Sequence, residues 1–163
     1  MRRKGILNVK LGRAISEMGH DDIMMVVDAG YPMAHEDRVI DIALCPGVPD
    51  LLTVLRAIRQ DMWVEEYHMI EDAKANNPNA WNGVAEVFPD AKAGVKPNEW
   101  FHEDGYRNAK FIVRTGAWMP WGNVALVSGI PVKEWFDNTG GSVPDSWKER
   151  HELNVKYGQT GVE

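Results

Sequence analysis

One stretch of the chain guides the interpretation of the rest: residues 14–32, AISEMGHDDIMMVVDAGYP. Its first part predicts the end of a helix, because Gly19 is the residue type that favours the left-handed conformation after a helical C-terminus. Residues 23–27 then form a continuous apolar run, which is typical of a strand covered on both faces. The following Asp28-Ala29-Gly30 predicts a polar turn. The stretch therefore predicts a helix, a buried strand and an exposed turn in succession.

The sequence on either side extends this pattern into alternating helices and strands. Apolar residues recur at helical spacing before Gly19, and Asp50 is a suitable cap for a later helix. Such alternation predicts an α/β domain with helices flanking a parallel or mixed sheet. Residues 89–97 are predicted to be loop. Helices are predicted at residues 7–18, 51–58, 71–75, 80–87 and 106–110, and further strands at 39–44, 62–70, 111–114 and 123–127.

The composition changes after Val132. Residues 133–163 are polar and glycine-rich, with two Trp and a helical fragment around residues 146–153. About 30 residues bury too little apolar surface to fold alone. We therefore divide the chain into a domain at residues 1–132 and a C-terminal extension at residues 133–163. The extension either packs on the domain or on a neighbouring subunit, or it is a flexible tail.

Composition narrows the functional classes. The 163 residues include 18 Lys and Arg against 24 Asp and Glu, which gives a formal charge of −6 with His neutral. This balance argues against a nucleic-acid or anionic-membrane binder, since phosphate contacts need a basic surface. No apolar run reaches the roughly 20 residues that span a bilayer, and the basic N-terminus lacks the apolar part of a signal peptide. With one cysteine no internal disulfide can form, and we expect a soluble cytoplasmic protein.

Two residues of the opening stretch are candidates for chemistry. Asp28 follows the carboxyl end of its predicted strand, where ligands bind in open α/β sheets. His20 follows a helix end, and an imidazole that titrates near neutrality is a suitable general acid or base. At about 3.3 Å per residue, the two can be about 20 Å apart in one subunit. Joint action then requires a folded-back chain or donation from two subunits.

Motifs for several other chemistries are absent from the sequence. It contains no HxxxH or HExxH pattern, no phosphate-binding glycine loop, no GxGxxG and no GxSxG. Metal, nucleotide-cofactor and serine-hydrolase chemistry are therefore unsupported. The acidic pairs Glu65-Glu66 and Glu71-Asp72 are interpreted as solvated surface.

Several short motifs together resemble the ribose pyranase and fucose mutarotase proteins, the RbsD/FucU-like family. They occur in the family's order across about residues 5–132, and the combination of MGH with DAG-x-P is the most specific. The resemblance implies a three-layer αβα subunit with a mostly parallel or mixed sheet. It also implies a ring-shaped homo-oligomer, commonly a decamer, with sites between adjacent subunits. The matching segments are residues 15–20, 26–32, 40–44, 47–49, 114–116 and 121–124.

The resemblance further implies a reaction and a set of residues. Family members interconvert the cyclic forms of a monosaccharide and use no metal and no organic cofactor. His20 corresponds to the catalytic His and Asp28 to the sugar-binding Asp. His102 falls on a position that is His in the pyranase type and Arg in the mutarotase type. The family's Tyr-Ala/Gly-Asn motif falls on Trp121-Gly122-Asn123.

These matches predict a cofactor-free sugar isomerase with His20 as proton donor. Asn123 orients a hydroxyl, and Trp121 stacks on the sugar ring in place of the family's Tyr. The sugar stays open between ribose-like and fucose-like, because His102 favours the first and Gly122 the second. Two alternatives also stay open. The loss of the Tyr hydroxyl suggests a non-catalytic monosaccharide-binding protein of the same fold, and the Trp-rich extension suggests a structural oligomer that recruits another protein.

Overall fold

Six strands form one mixed sheet in the computed structural model, which describes residues 3–157. Helices lie on both faces of the sheet, which confirms the predicted α/β class. The strands are β1 (Ile23–Val27), β2 (Val39–Asp41), β3 (Val64–Ile70), β4 (Lys92–Lys96), β5 (Ala109–Arg114) and β6 (Val124–Ser128). The helices are α1 (Val9–Glu17), α2 (Leu51–Asp61), α3 (Ala73–Asn76), α4 (Pro78–Val87), α5 (Asn98–His102), α6 (Asp104–Asn108), α7 (Val132–Thr139) and α8 (Lys148–Tyr157), with a 3-10 turn at Asp145–Trp147.

Side-chain caps set the starts of the first two long helices. Asp50 accepts a hydrogen bond from the Thr53 N–H at 3.0 Å, which confirms the predicted cap of α2. Asn8 does the same for α1 through the Leu11 N–H, also at 3.0 Å. Each cap satisfies a backbone donor that has no partner inside its helix.

The end of α1 differs from the prediction. Met18 after α1 is extended, and the left-handed residue is Asp21, with φ 67°, rather than Gly19. The chain therefore turns two residues later than expected, at a residue type that tolerates this conformation better than most. His20 therefore lies in this turn, three residues before the first residue of β1.

The sheet order is β2-β5-β1-β6-β3-β4. β6 pairs antiparallel with β1 and β3, whereas the pairs β2–β5, β5–β1 and β3–β4 are parallel. Five strands therefore end on one side of the sheet, which we call the carboxyl end, and β6 begins there. The opposite side, the amino end, contains the start of β1 and the end of β6.

β1 runs through the middle of the core. Met24 and Val26 belong to a cluster that includes apolar residues of α1, α2 and α4, and Met25 and Val27 to a second cluster that includes Phe101 of α5. All four side chains are fully buried. Alternate residues of a strand point to opposite faces, so this burial gives three layers of helix, sheet and helix. Each such side chain contributes roughly 1.5–3 kcal/mol of hydrophobic stabilisation.

The loop prediction for residues 89–97 is wrong, because β4 lies within it. Its sequence, KAGVK, is charged and largely exposed, and it pairs only with β3 at the edge of the sheet. An edge strand needs no continuous apolar pattern, so periodicity does not reveal it. β2 is shorter than the predicted strand at 39–44, since the Asp41 carboxylate accepts from the Ala43 N–H at 3.0 Å and turns the chain.

Residues 133–157, which we call the C-terminal segment, pack on the domain. Asn154 is buried, with its Nδ2 3.4 Å from Asp90 Oδ2. Within the segment, His151 Nε2 lies 2.8 Å from Asp137 Oδ1 and joins α8 to α7. Residues 158–163 of the predicted extension lie outside the described residues. Between residues 3 and 157, no helix is long and apolar enough to cross a membrane.

Candidate active site

Asp28 and Asn123 meet at the carboxyl end of the sheet. Asp28 directly follows β1, and Asn123 directly precedes β6, its antiparallel neighbour. The Asp28 N–H donates to Asn123 Oδ1 at 3.0 Å. The Gly30 N–H donates to Asp28 Oδ1 at 2.8 Å and holds the carboxylate in a tight turn. Asn123 is buried and Asp28 is partly exposed, so the pair presents the Asp28 carboxylate to solvent from a hydrogen-bonded turn.

The motif Arg114-Thr115-Gly116 supports the Asp28 turn from β5. The Arg114 guanidinium donates to the Ala29 carbonyl at 2.7 and 3.1 Å and to Asp41 Oδ2 at 2.9 Å. Thr115 Oγ1 donates to the Val27 carbonyl at 2.9 Å. These bonds satisfy the backbone carbonyl groups at the end of β1 and after it. The motif therefore has a structural role that requires no contact with a ligand.

Trp121 and Gly122 lie beside Asp28. Trp121 has φ 55°, a conformation that is rare for a bulky residue and costs of order 1–3 kcal/mol. Its half-buried ring packs against both hydrophobic clusters, so only part of the indole faces solvent. A Cβ at Gly122 would lie 3.1 Å from Met119 Cγ and 3.5 Å from Asp28 Cβ, so glycine permits a close approach here.

His102, the last residue of α5, lies at the same end of the sheet and packs on Tyr31. The exposed His102 ring stacks on the Tyr31 ring, with centroids 5.2 Å apart and planes at 12°. The buried Tyr31 hydroxyl donates to the Phe101 carbonyl at 2.5 Å. Burial, with smaller effects from Tyr106 and Asp28, raises the pKa of Tyr31 to about 12. Tyr31 thus couples the Asp28 turn to the end of α5.

His20 lies at the amino end, away from the other five predicted site residues. β1 separates it from Asp28, and five residues of strand span about 16 Å. The structure therefore gathers Asp28, His102, Trp121, Gly122 and Asn123 at one end and does not bring His20 to them. This agrees with the separation expected from the sequence.

Three residues that lie near His20 are not predictable from the sequence, namely Glu65, Arg150 and Trp147. His20 Nε2 lies 2.9 Å from Glu65 Oε2, and the same oxygen receives Arg150 Nη2 at 2.5 Å. The His20 and Trp147 rings meet edge to face at 6.0 Å. Glu65, interpreted from the sequence as solvated, has a side chain only 12% exposed. No local pattern signals this, because Arg150 comes from a distant part of the chain.

One cluster of ligand-type side chains lies beside β1. Among residues 3–157, the ligand atoms of His20, Asp21 and Glu65 lie within 4.8 Å of one another. However, the Arg150 guanidinium already occupies Glu65 Oε2, and its positive charge opposes a metal ion there. The donor set fits a metal poorly, and the expectation of metal-free chemistry stays a prediction.

Comparison with known proteins supplies the family. The family model described as the RbsD / FucU transport protein family matches residues 1–131. The chain belongs to the RbsD/FucU family. The match spans the sheet and both groups of candidate residues, and it confirms the resemblance seen in the sequence.

Individual members of the RbsD/FucU family are similar over most of their length. "D-ribose pyranase 1" of Streptomyces griseus is 39% identical over 150 residues, which cover 92% of this chain and 99% of that protein. The structure of Bacillus subtilis RbsD complexed with D-ribose is 28% identical with a TM-score of 0.74, covering 80% of this chain and 98% of that one. The fucose mutarotase of Streptococcus pneumoniae, solved with L-fucose, is 22% identical with a TM-score of 0.64 over 76% of this chain and 94% of that one. This last likeness shows the shared fold.

The extent of the Streptomyces match bears on the C-terminal extension. The match covers 92% of this chain, a larger share than the domain at residues 1–132 can supply alone. Part of the extension therefore has a counterpart in that RbsD/FucU family member. The extension is thus not peculiar to this chain.

Proposed function

We propose that the chain is a monosaccharide pyranase or mutarotase, an isomerase that interconverts cyclic sugar forms by acid–base catalysis. The observation that supports this function best is the hydrogen-bonded Asp28–Asn123 pair at the carboxyl end of the sheet, in a chain 39% identical to a D-ribose pyranase. D-ribose is the first candidate substrate, since His102 matches the pyranase type. A cytoplasmic location is part of the proposal and is supported by the sugar-metabolising relatives.

The reaction needs two proton movements and no redox step. Ring opening delivers a proton to the ring oxygen and transfers the proton of the anomeric hydroxyl to solvent water, which breaks the bond between C1 and the ring oxygen and forms the carbonyl. Closure reverses both movements on the other carbonyl face or through another hydroxyl. Water catalyses the reaction slowly, and positioned acids and bases typically contribute 10²–10⁴-fold.

Each site residue has a role that suits its geometry. His20 donates the proton to the ring oxygen. The Gly30 N–H engages Asp28 Oδ1, which leaves Oδ2 to accept hydrogen bonds from sugar hydroxyls. Asn123 Oδ1 is used by the Asp28 N–H, so its Nδ2 donates to a hydroxyl. His102 supplies a second polar contact, and Trp121 with Gly122 forms the wall against the ring.

The separation of His20 from Asp28 supports a site shared between two subunits. We infer a homo-oligomer, a ring of the kind found in the family, in which His20 of one copy meets the Asp28 end of the next. α1 leads directly to His20, and Leu7 and Val9 at its start are 68% and 83% exposed. These apolar side chains suit an interface with a second copy better than solvent.

Exchange NMR tests the activity. Saturation transfer between the ring forms of D-ribose, L-fucose, D-galactose and D-glucose is compared with and without protein. We expect acceleration with D-ribose, a loss of kcat of at least about 100-fold in His20→Gln, and mainly a raised KM in Asp28→Asn. A His20→Gln protein that works at the wild-type rate would refute the assigned role.

A mixing experiment tests the shared site. His20→Gln and Asp28→Asn subunits are unfolded together, refolded as mixed oligomers and assayed at equal ratio. Each interface that pairs an intact His20 with an intact Asp28 regains activity, so about one quarter of the sites recover. Sites contained within single subunits would show no recovery on mixing.

A non-catalytic sugar-binding protein is the second candidate, and Trp121 favours it. An indole N–H donates but cannot accept a hydrogen bond, so Trp121 cannot relay a proton as a phenol can. Calorimetric binding of a sugar without accelerated ring exchange, in a protein of normal oligomeric state, would support this candidate. Exchange restored by Trp121→Tyr would then identify the indole as the cause.

A further inference from the structure

The C-terminal segment covers one side of His20. The Trp147 ring meets the His20 imidazole edge to face, and Trp147 is in turn held by Phe136 of α7 at 5.8 Å between ring centroids. Arg150, on the first turn of α8, binds Glu65 Oε2 at 2.5 Å. Trp147 and Arg150 both lie outside residues 1–131, the part of the chain that the family model matches. The segment therefore adds groups next to the proposed proton donor.

The segment has anchors that do not involve His20. His151 Nε2 lies 2.8 Å from Asp137 Oδ1, and Asn154 Nδ2 lies 3.4 Å from Asp90 Oδ2. Asp90 also binds the Arg59 guanidinium at 2.5 Å. The Asn154–Asp90 contact thus joins α8 to the domain independently of the Arg150–Glu65 pair, and the His151–Asp137 contact joins α8 to α7.

Glu65 is the common partner of two basic side chains, His20 and Arg150. His20 Nε2 and Arg150 Nη2 contact the same carboxylate oxygen, at 2.9 and 2.5 Å, so the imidazole and the guanidinium are close neighbours. Glu65 and Arg150 are nearly enclosed, with side chains 12% and 19% exposed. The third charged neighbour, Asp21, lies 3.6 Å from His20 Nε2 but is 75% exposed and better screened by solvent.

The two enclosed charges form one connected arrangement with the imidazole. The Arg150 guanidinium holds the Glu65 carboxylate in place, and the same carboxylate oxygen contacts His20 Nε2. The pair therefore fixes the orientation of the His20 ring.

We propose that Arg150 is a positioning residue that acts on His20 through Glu65, with Trp147 packing against the ring. The proposal rests on the proposed function for its kinetic consequences, while its structural part is independent of it. It assigns the C-terminal segment a role in proton transfer, through the contacts that Trp147 and Arg150 make beside His20.

The test compares four single variants of the full chain. Arg150→Gln removes the cation, Arg150→Lys keeps it, Glu65→Gln removes the anion, and His151→Gln cuts an anchor of the same segment without touching His20 or Glu65. Thermal stability and oligomeric state are measured first for each. His151→Gln is the matched control for loosening of the segment.

Kinetics give the first readout. We expect Arg150→Gln to lower kcat about 10- to 100-fold, the cost of a displacement of about 1 Å, with KM within about twofold. Glu65→Gln should lower kcat in the same way, because it cuts the link between Arg150 and the His20 ring. Arg150→Lys should restore most of the wild-type kcat, and His151→Gln should leave kcat unchanged.

NMR of the His20 ring separates this proposal from the proposed function. At fixed pH, the ring resonances of His20 should shift in both Arg150→Gln and Glu65→Gln and keep their wild-type positions in His151→Gln, whether or not the protein converts a sugar. A wild-type protein without exchange activity would refute the function but leave this prediction intact. Unshifted His20 resonances in all variants, or the same kinetic loss in His151→Gln as in Arg150→Gln, would overturn the positioning role. Glu65→Gln supplies the same test if Arg150→Gln does not fold.

Discussion

Replacing Tyr31 with Phe removes one buried oxygen and leaves every ring contact in place. The hydroxyl donates to the Phe101 carbonyl, whereas the ring stacks on His102. The substitution therefore separates two functions of one side chain, the link between the Asp28 turn and α5 and the support of the imidazole.

The magnitude follows from the lost partner. A buried acceptor left without its hydrogen bond costs about 1–3 kcal/mol. The Tyr31 side chain is 5% exposed, so water does not readily replace the donor, and we take about 2 kcal/mol in the free energy of unfolding. For a chain of about 150–250 residues this lowers Tm by about 4–8 °C.

Calorimetry at fixed protein concentration measures the change, with Tyr31→Leu as the comparison. Tyr31→Phe should lower Tm while KM for the sugar stays within about threefold, because His102 keeps its stacking partner. Tyr31→Leu should lower Tm further and also raise KM. An unchanged Tm in Tyr31→Phe, or a KM equally raised in both variants, would refute this division of roles.

Two further predictions concern His68 in β3. Burial, and then the positive charges of Lys96 and Lys92, lower the pKa of His68 from 6.5 in spite of Glu66. The unfolded chain therefore binds a proton at His68 more readily than the folded chain does. The stability that neutral His68 contributes is present above about pH 6.5 and is lost as the pH falls. His68→Gln should therefore flatten the fall of Tm between about pH 7.5 and 5. An unaltered slope would exclude His68 as the cause. Gly94 lies opposite His68, and a Cβ there would be 2.2 Å from His68 Nδ1. Gly94→Ala should cost about 1–3 kcal/mol by denaturant unfolding, less when His68→Ala is present, and full additivity of the two changes would disprove the clash.

Patterns local in sequence predict much of this fold. The apolar run of β1 and the Asp50 cap are predictable, because each depends on a few residues that are neighbours in the sequence. β4 is different, because an exposed edge strand is defined by its partner β3 and by backbone bonds that leave no apolar pattern. The turn at Asp21 likewise depends on its pairing with Ser128 across the sheet, whose carbonyl accepts the Asp21 N–H at 2.9 Å.

The candidate site divides in the same way. Asp28 is predictable as a residue that follows a buried strand, and motif resemblance adds Asn123 and His102. Glu65 is not predictable, since its burial depends on Arg150, which is brought to it by the packing of α8. A charged pair such as Glu65-Glu66 has the same sequence signature whether it faces solvent or a distant helix.

The antiparallel course of β6 has a consequence for protein engineering. Asn123 precedes the strand at one end of the sheet, and Ser128 closes it near His20 at the other. Within one subunit the largely buried strand keeps these two ends apart. In the proposed shared site, however, they meet across the interface between two copies. Substitutions at the two ends are therefore best varied and selected together, since changes at neighbouring residues generally do not add.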